Sequence, residues 1–123
     1  MFPATLAATS YMELRRLPEL ICGFRKRVGA GPTLYPVACS PQAWASGSLF
    51  LMTQAALGIE SDPTARAIRF HNPHLSPSFD QIVLRQLQLN DATVDIELKR
   101  SGSHVSMRVL RNIGAVQVSM VVD

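Results

Sequence analysis

Glu19 is the residue of this sequence best placed for acid–base chemistry. It follows Pro18 at the end of a predicted helix and precedes Gly23, so its carboxylate lies at a helix-to-loop junction. A polar and aromatic segment, Tyr35 to Trp44, is expected to return beside it. A general base needs a second carboxyl group across the substrate, about 6.5–9.5 Å away in inverting glycoside hydrolysis. From the residue type alone, a surface or ion-paired glutamate is the commoner interpretation.

The other candidate groups give weaker signals. Trp44, one turn into a predicted helix, is ordinarily a core side chain, and a sugar-stacking platform is the alternative. Tyr35 and Gln42 are ordinary loop and cap residues unless a ligand lies nearby. His71 and His74 have the spacing of metal ligands but no third ligand, so no metal is expected. The sequence has no Gly-rich phosphate loop, nucleophile elbow or HExxH pattern, and we expect no cofactor.

Composition indicates a soluble globular protein. The 123 residues fit one ordinary domain, with 47% hydrophobic and 17% charged residues. Five of the twelve basic residues fall within thirteen positions. Binding to nucleic acid would need more cationic surface with interleaved aromatic residues or a known motif, so this cluster is interpreted as a solvated loop and helix end rather than a site for nucleic acid or a membrane. Cys22 and Cys39 lack metal or redox spacing and are expected to be free, mostly buried thiols. Without a secretory signal or a spanning segment, a cytoplasmic location is expected.

Helix formers and proline punctuation predict two helices. The first covers Ala4 to Arg16 and is stopped by the following proline. Residues 24–39 show no period and predict a long loop. The second helix is expected to start with Ser40 as N-cap and Pro41 as first residue, and to end at Leu57 before Gly58. Its apolar residues cover more than one face, so it is expected to be a piece of a larger helical assembly with an exposed apolar patch.

The second half of the sequence changes to an alternating period after a short linker at residues 60–63. Alternation predicts an antiparallel meander of four or five strands, with one apolar face that includes Val94, Ile96 and Leu98. A proline-bounded loop, residues 71–77, separates the first two strands. The predicted strands are Arg66 to Phe70, Gln81 to Leu89, Ala92 to Lys99, His104 to Leu110 and Ala115 to Val122.

Two segments carry a resemblance to a known family. Residues 16–24 (RLPELICGF) and 31–45 (GPTLYPVACSPQAWA) resemble the C-terminal part of bacterial amylo-alpha-1,6-glucosidases and glycogen-debranching enzymes. Those enzymes are six-hairpin glycosidases with an (α/α)6 toroid. Residues 68–77 (IRFHNPHLSP) and their strands resemble the small β-structured end that follows the toroid. Ile21 departs from the phenylalanine often found at its position.

The resemblance implies an α+β chain in which the last helices of a toroid, residues 1–60, precede a small antiparallel β part, residues 61–123. It implies that Glu19 is the general base, that Tyr35, Gln42 and Trp44 border the sugar site, and that the substrate is an oligosaccharide or alpha-glucan. The general acid and the N-terminal part of the enzyme are missing, so the isolated chain is expected to be inactive. The alternative is a non-catalytic truncated, carbohydrate-binding or structural module. Neither alternative involves nucleic acid or a membrane.

Overall fold

The computed structural model describes residues 9–12, 16–25 and 27–123 of the chain. The fold class is α+β, as predicted, with two short helices and two three-stranded sheets. The chain divides into two compact units, Met1–Met52 and Thr53–Asp123. No helices of an (α/α)6 toroid are seen in the part of the chain that the structure describes. The predicted domain division after residue 60 stays a prediction.

The first helix is described only in part. Thr9 to Tyr11 are helical, and Arg16 is not. The rest of the predicted helix, residues 4–8 and 13–15, lies outside the described residues. Residues 24–39 form the predicted loop, with turns and an isolated bridge in its described part.

The second helix, α1 (Ala43–Leu57), ends where the sequence predicts. Gly58 follows it with a φ of 56°, a left-handed conformation that glycine adopts without steric cost. The predicted start is wrong by two residues. The carbonyl of Gln42 accepts a hydrogen bond from the Ser46 amide at 3.2 Å, and Gln42 Oε1 accepts one from the Ala43 amide at 3.0 Å. Because its carbonyl accepts the first hydrogen bond of the helix, Gln42 is the N-cap. Ser40 and Pro41 precede the helix and are joined by a cis peptide bond.

Six strands form the second unit. Five of them match the predicted strands within about three residues at each end, which is the usual uncertainty of sequence-based boundaries. The sixth, β1, was predicted as a linker. The strands are β1 (Ile59–Asp62), β2 (Ala67–His71), β3 (Gln81–Leu89), β4 (Ala92–Ser101), β5 (His104–Ile113) and β6 (Gln117–Val121).

The predicted single meander is wrong, because the strands form two sheets. One sheet has the order β3-β4-β5 and is an antiparallel meander. The other has the order β1-β2-β6, in which β2 pairs with β1 antiparallel and with β6 parallel. The β2–β6 pair joins residues fifty positions apart, such as Ala67 and Gln117. Local alternation cannot reveal a pair at that separation, because it identifies strands and not their partners.

Both sheets contribute side chains to one hydrophobic core in the second unit. The predicted apolar face of β4 is confirmed: Val94, Ile96 and Leu98 each have an exposed fraction of 0%. Phe70 of β2 is equally inaccessible, and Leu57 at the end of α1 is 1% exposed. Burial of these side chains stabilises the unit by about 1.5–3 kcal/mol each before the conformational entropy is counted. The other buried members of this core are Ile68, Leu75, Leu89, Ala92 and Val116.

Candidate functional site

The predicted return of the loop beside Glu19 is present as a hydrogen-bonded ribbon. Residues 17–22 run antiparallel to residues 33–42, and we call these two segments the Glu19 ribbon. Three backbone hydrogen bonds of 2.8–3.0 Å and one isolated bridge hold it together. Its pairs are Leu17 with Gln42, Glu19 with Cys39, Ile21 with Leu34, and Cys22 with Thr33.

Glu19 contacts Cys39 twice. Its backbone amide donates to the Cys39 carbonyl at 2.8 Å, and its Oε2 accepts a hydrogen bond from the Cys39 amide at 3.3 Å. The side chain is half-buried, and this long hydrogen bond is the one the structure gives its carboxylate. An ionised carboxylate accepts at about four lone-pair positions, so this one can still accept a proton from water or bind a sugar hydroxyl. Sequence reasoning missed Cys39 as the anchor, since twenty residues separate the two positions.

Among the described residues of Met1–Met52, no second carboxylate accompanies Glu19. The only other acidic residue of Met1–Met52 is Glu13, which lies outside the described residues. The described part of this unit therefore supplies one half of the carboxylate pair that hydrolysis needs.

The three predicted sugar-contacting residues lie on or next to the Glu19 ribbon. Tyr35 begins the turn that ends with the Ala38 amide donating to the Tyr35 carbonyl at 3.0 Å, and its side chain is exposed. Gln42 uses its side-chain oxygen at the start of α1. Trp44 is 59% exposed, so the commoner expectation that it is a core residue is wrong. An exposed indole in water has apolar surface that a partner or a sugar ring can cover.

The two cysteines are free, in agreement with the sequence-based expectation. Cys22 is half-buried, and its thiol donates to the Leu34 carbonyl over 3.6 Å. Cys39 is exposed, so the expectation that both thiols are mostly buried is wrong for this residue. Its backbone is hydrogen-bonded to Glu19, while its side chain is accessible.

The first unit exposes large apolar side chains, as expected for a helix that is apolar on several faces. On α1, Phe50 is 79% and Leu51 67% exposed, whereas Ala45 is buried. Along the loop and the ribbon, further large apolar residues are also exposed. These are Leu20, Ile21, Phe24, Val28, Leu34 and Val37. Large apolar side chains exposed in this number favour a segment that another part of a protein covers.

Charged groups in the second unit form surface ion pairs. The Arg66 guanidinium donates a hydrogen bond to Asp91 over 2.9 Å, and this contact holds the pKa of the Asp91 carboxyl below its ordinary value. His71 Nε2 lies 3.5 Å from a carboxylate oxygen of Glu60. His74 is exposed. Among the described residues, no group of three or more His, Cys, Asp or Glu side chains is arranged to hold a metal ion.

Comparison with known proteins gives no relative for this chain: no protein-family model, no curated protein and no solved structure matches it. In the described residues, no helix combines the length and the apolar character needed to cross a membrane.

Proposed function

We propose that this chain is the C-terminal segment of an inverting glycoside hydrolase of the amylo-alpha-1,6-glucosidase or glycogen-debranching type, acting on an alpha-glucan or oligosaccharide. In this proposal, the helices of residues 1–60 are the last helices of an (α/α)6 toroid, and residues 61–123 are its small β-structured end. The observation that carries the proposal is the position of Glu19. Its half-buried carboxylate is held by the Cys39 amide on a ribbon that also carries Tyr35 and leads into Trp44.

Glu19 acts as the general base in this mechanism. Its carboxylate accepts a proton from a water molecule, and the water oxygen then forms the new bond to the anomeric carbon as the glycosidic bond breaks. The leaving sugar oxygen takes a proton from a general acid on another part of the enzyme. The Cys39 amide orients the carboxylate by donating a hydrogen bond to Oε2.

The exposed apolar side chains of the first unit support the same proposal. Phe50 and Leu51 of α1 would be covered by neighbouring helices if the unit lies within a double ring of helices. The missing part of the enzyme is therefore the proposed partner of this surface.

A test of the proposal compares glucose release from branched and linear maltooligosaccharides by two proteins. One is the 123-residue chain, and the other is extended upstream through the preceding reading frame. We expect activity in the extended protein only, and Glu19→Gln should lower kcat by about 10²–10⁴-fold because general-base assistance is lost. Glu60→Gln, an exposed glutamate of the second unit, is the matched control and should leave kcat unchanged. If Glu19→Gln and Glu60→Gln have equal effects, Glu19 is not the base.

A non-catalytic carbohydrate-binding or structural module is the second candidate. It is favoured by the lack of a second carboxylate among the described residues of the first unit. In that case the extended protein releases no glucose, and maltooligosaccharide binding depends on Trp44 rather than on Glu19. Titration of Trp44→Ala and Glu19→Gln with maltohexaose separates the two candidates.

A further inference from the structure

Strand β5 has the longest regular unpaired edge in the second unit. It pairs with β4 alone, and its residues 104–109 keep an uninterrupted register up to the bulge at Leu110. Of the other outer strands, β1 has four residues and β6 has five, and β3 carries a bulge between Leu84 and Leu87. A long regular edge is a template on which one more strand can pair.

The neighbouring strand shows which backbone groups of β5 are directed outward. The Arg100 amide donates to the Asp80 carbonyl at 2.9 Å, on the β3 side of β4. Arg100 therefore does not use its N–H toward β5, and its register partner Val105 directs its own N–H and C=O away from β4. Because the two kinds of pair alternate in antiparallel strands, Met107 and Val109 do the same. No hydrogen bond from another described segment reaches these six groups.

The side chains of β5 differ between the two faces of the sheet. Directly opposite residues of a strand pair share a face. Val109 lies opposite the buried Ile96, so it is on the core face, where it is 39% exposed. Arg108 and Arg111 lie on the other face, opposite acidic residues of β4. A strand added to this edge would continue an apolar row on one face and meet arginines on the other.

The charge along this edge is positive. Residues 98–122 contain four Lys or Arg and no Asp or Glu. Arg100 and Arg108 each pair with a carboxylate. Arg111 is exposed, and within the described part of the chain it has no ion pair. Its guanidinium is therefore available to a carboxylate on an added strand.

We propose that β5 binds an extended segment of a partner protein in which apolar and acidic residues alternate. The segment adds as a fourth strand to the β3-β4-β5 sheet, with its backbone paired to Val105, Met107 and Val109. Its acidic residues lie beside Arg111, and its apolar residues continue the core face. In this mode of recognition, main-chain hydrogen bonds supply the affinity and the alternating side chains supply the selectivity. The interaction does not depend on Glu19, which belongs to the first unit.

A second copy of this chain fits the edge less well than an acidic segment. Strand β5 contains two arginines and no acidic residue, so two copies side by side would bring four arginines together and add no carboxylate. Strand β1 of another copy supplies Glu60 and Asp62, but its four residues would leave part of the edge unpaired.

Fluorescence anisotropy of labelled octapeptides with the full 123-residue chain tests the charge selection. The probe is (Val-Glu)4, and the control is (Val-Lys)4, which has the same backbone pattern and the opposite charge. We expect (Val-Glu)4 to bind at least about tenfold more tightly, because like charges across an interface oppose binding. Arg111→Gln should weaken its binding about two- to fivefold, the loss of one exposed ion pair. Arg85→Gln, the matched control on β3, should leave it unchanged.

The backbone pairing is tested at Val109. Val109→Pro removes an N–H that is directed away from β4, at an outer strand where proline is tolerated. It should weaken (Val-Glu)4 binding about tenfold, since a hydrogen bond to the docked strand is lost. Val109→Ala keeps the N–H and should retain binding. If Val109→Pro does not fold, a (Val-Glu)4 peptide methylated on its amides replaces it, and this peptide should not bind.

Four results would overturn the proposal, and each leaves the test of Glu19 unaffected. Equal affinity for the two peptides excludes selection of an acidic segment. Equal affinities of Val109→Pro and Val109→Ala, or unchanged binding of the methylated peptide, place the binding elsewhere. A dimer in sedimentation equilibrium that Val109→Pro converts to a monomer makes a second copy the occupant. Loss of peptide binding in the protein extended upstream makes the added part of that protein the occupant.

Discussion

Replacing Gly58 by alanine tests the packing of the turn between α1 and β1. Gly58 has a φ of 56°, and a Cβ built on it overlaps the carbonyl oxygen of His71 and lies 2.9 Å from the carbonyl carbon. The backbone of His71 cannot move freely, because its amide donates to the Gly58 carbonyl at 2.9 Å and the residue belongs to β2. The substitution therefore combines an unfavourable backbone conformation with a backbone clash.

The size of the effect follows from these two terms. A left-handed conformation costs a non-glycine residue about 1–2 kcal/mol. Forcing a new atom into a closely packed position costs about 1–3 kcal/mol more. We expect Gly58→Ala to lower the free energy of unfolding of the second unit by about 2–5 kcal/mol, the sum of the two.

Gly102 provides the matched control. Its φ is 62°, but a Cβ there has no atom within 4 Å. Gly102→Ala should therefore cost only the conformational term, about 1–2 kcal/mol. Comparing the two variants isolates the clash with His71, because both residues have the same backbone conformation.

Urea unfolding followed by far-UV circular dichroism measures both variants. With a slope of about 1 kcal/mol per molar urea, typical of a small unit, the two midpoints should differ by about 1–3 M. If Gly58→Ala is too unstable to study, Gly58→Asn is the alternative, since asparagine tolerates this conformation but still carries a Cβ. Equal midpoints for the Gly58 and Gly102 variants would show that the turn is not packed against His71, and the reasoning would fail.

Three further predictions concern the second unit. Asn72→Ala should destabilise it by about 2–5 kcal/mol in urea: the two lost hydrogen bonds with Asp123, of 2.9 and 3.3 Å, contribute about 0.5–1.5 kcal/mol each, and alanine at a φ of 45° costs about 1–2 kcal/mol more. Asn72→Gly should recover only the conformational part. The hydrogen bond from Arg66 lowers the pKa of the Asp91 carboxyl in the folded protein. The stabilisation by the Arg66–Asp91 pair is therefore fully present above the unfolded pKa of about 4 and is lost as the pH falls through the lower, folded pKa. The melting temperatures of wild type and Asp91→Asn should converge in acid. Leu98→Ala should cost about 2–5 kcal/mol by leaving a cavity in the core, and an effect below 1 kcal/mol would contradict its burial.

Local pattern was sufficient to predict five of the six strands of the second unit and the face that β4 buries. Val94, Ile96 and Leu98 alternate with polar neighbours, and a strand has a side-chain period of two, so the core face follows directly from the order of residues. The end of α1 was equally predictable, because Gly58 is adjacent in sequence to the helix that it terminates. These features depend on residues within a few positions of one another.

Pairing across long separations was decided by the tertiary structure alone. The segment Ile59–Asp62 has the composition of a linker and becomes strand β1 because β2 supplies its hydrogen-bond partners. The parallel pairing of β2 with β6 divides the strands between two sheets, which no local alternation indicates.

At the candidate site, the sequence by itself determined Glu19 as the acid–base candidate and the loop that returns to it. Only the folded chain showed that the Cys39 amide holds this carboxylate, that Gln42 caps α1 and that Trp44 is exposed. The physical reason is the same as for the sheets. Backbone hydrogen bonds have identical chemistry at every residue, so the pairs that form depend on which segments meet in space.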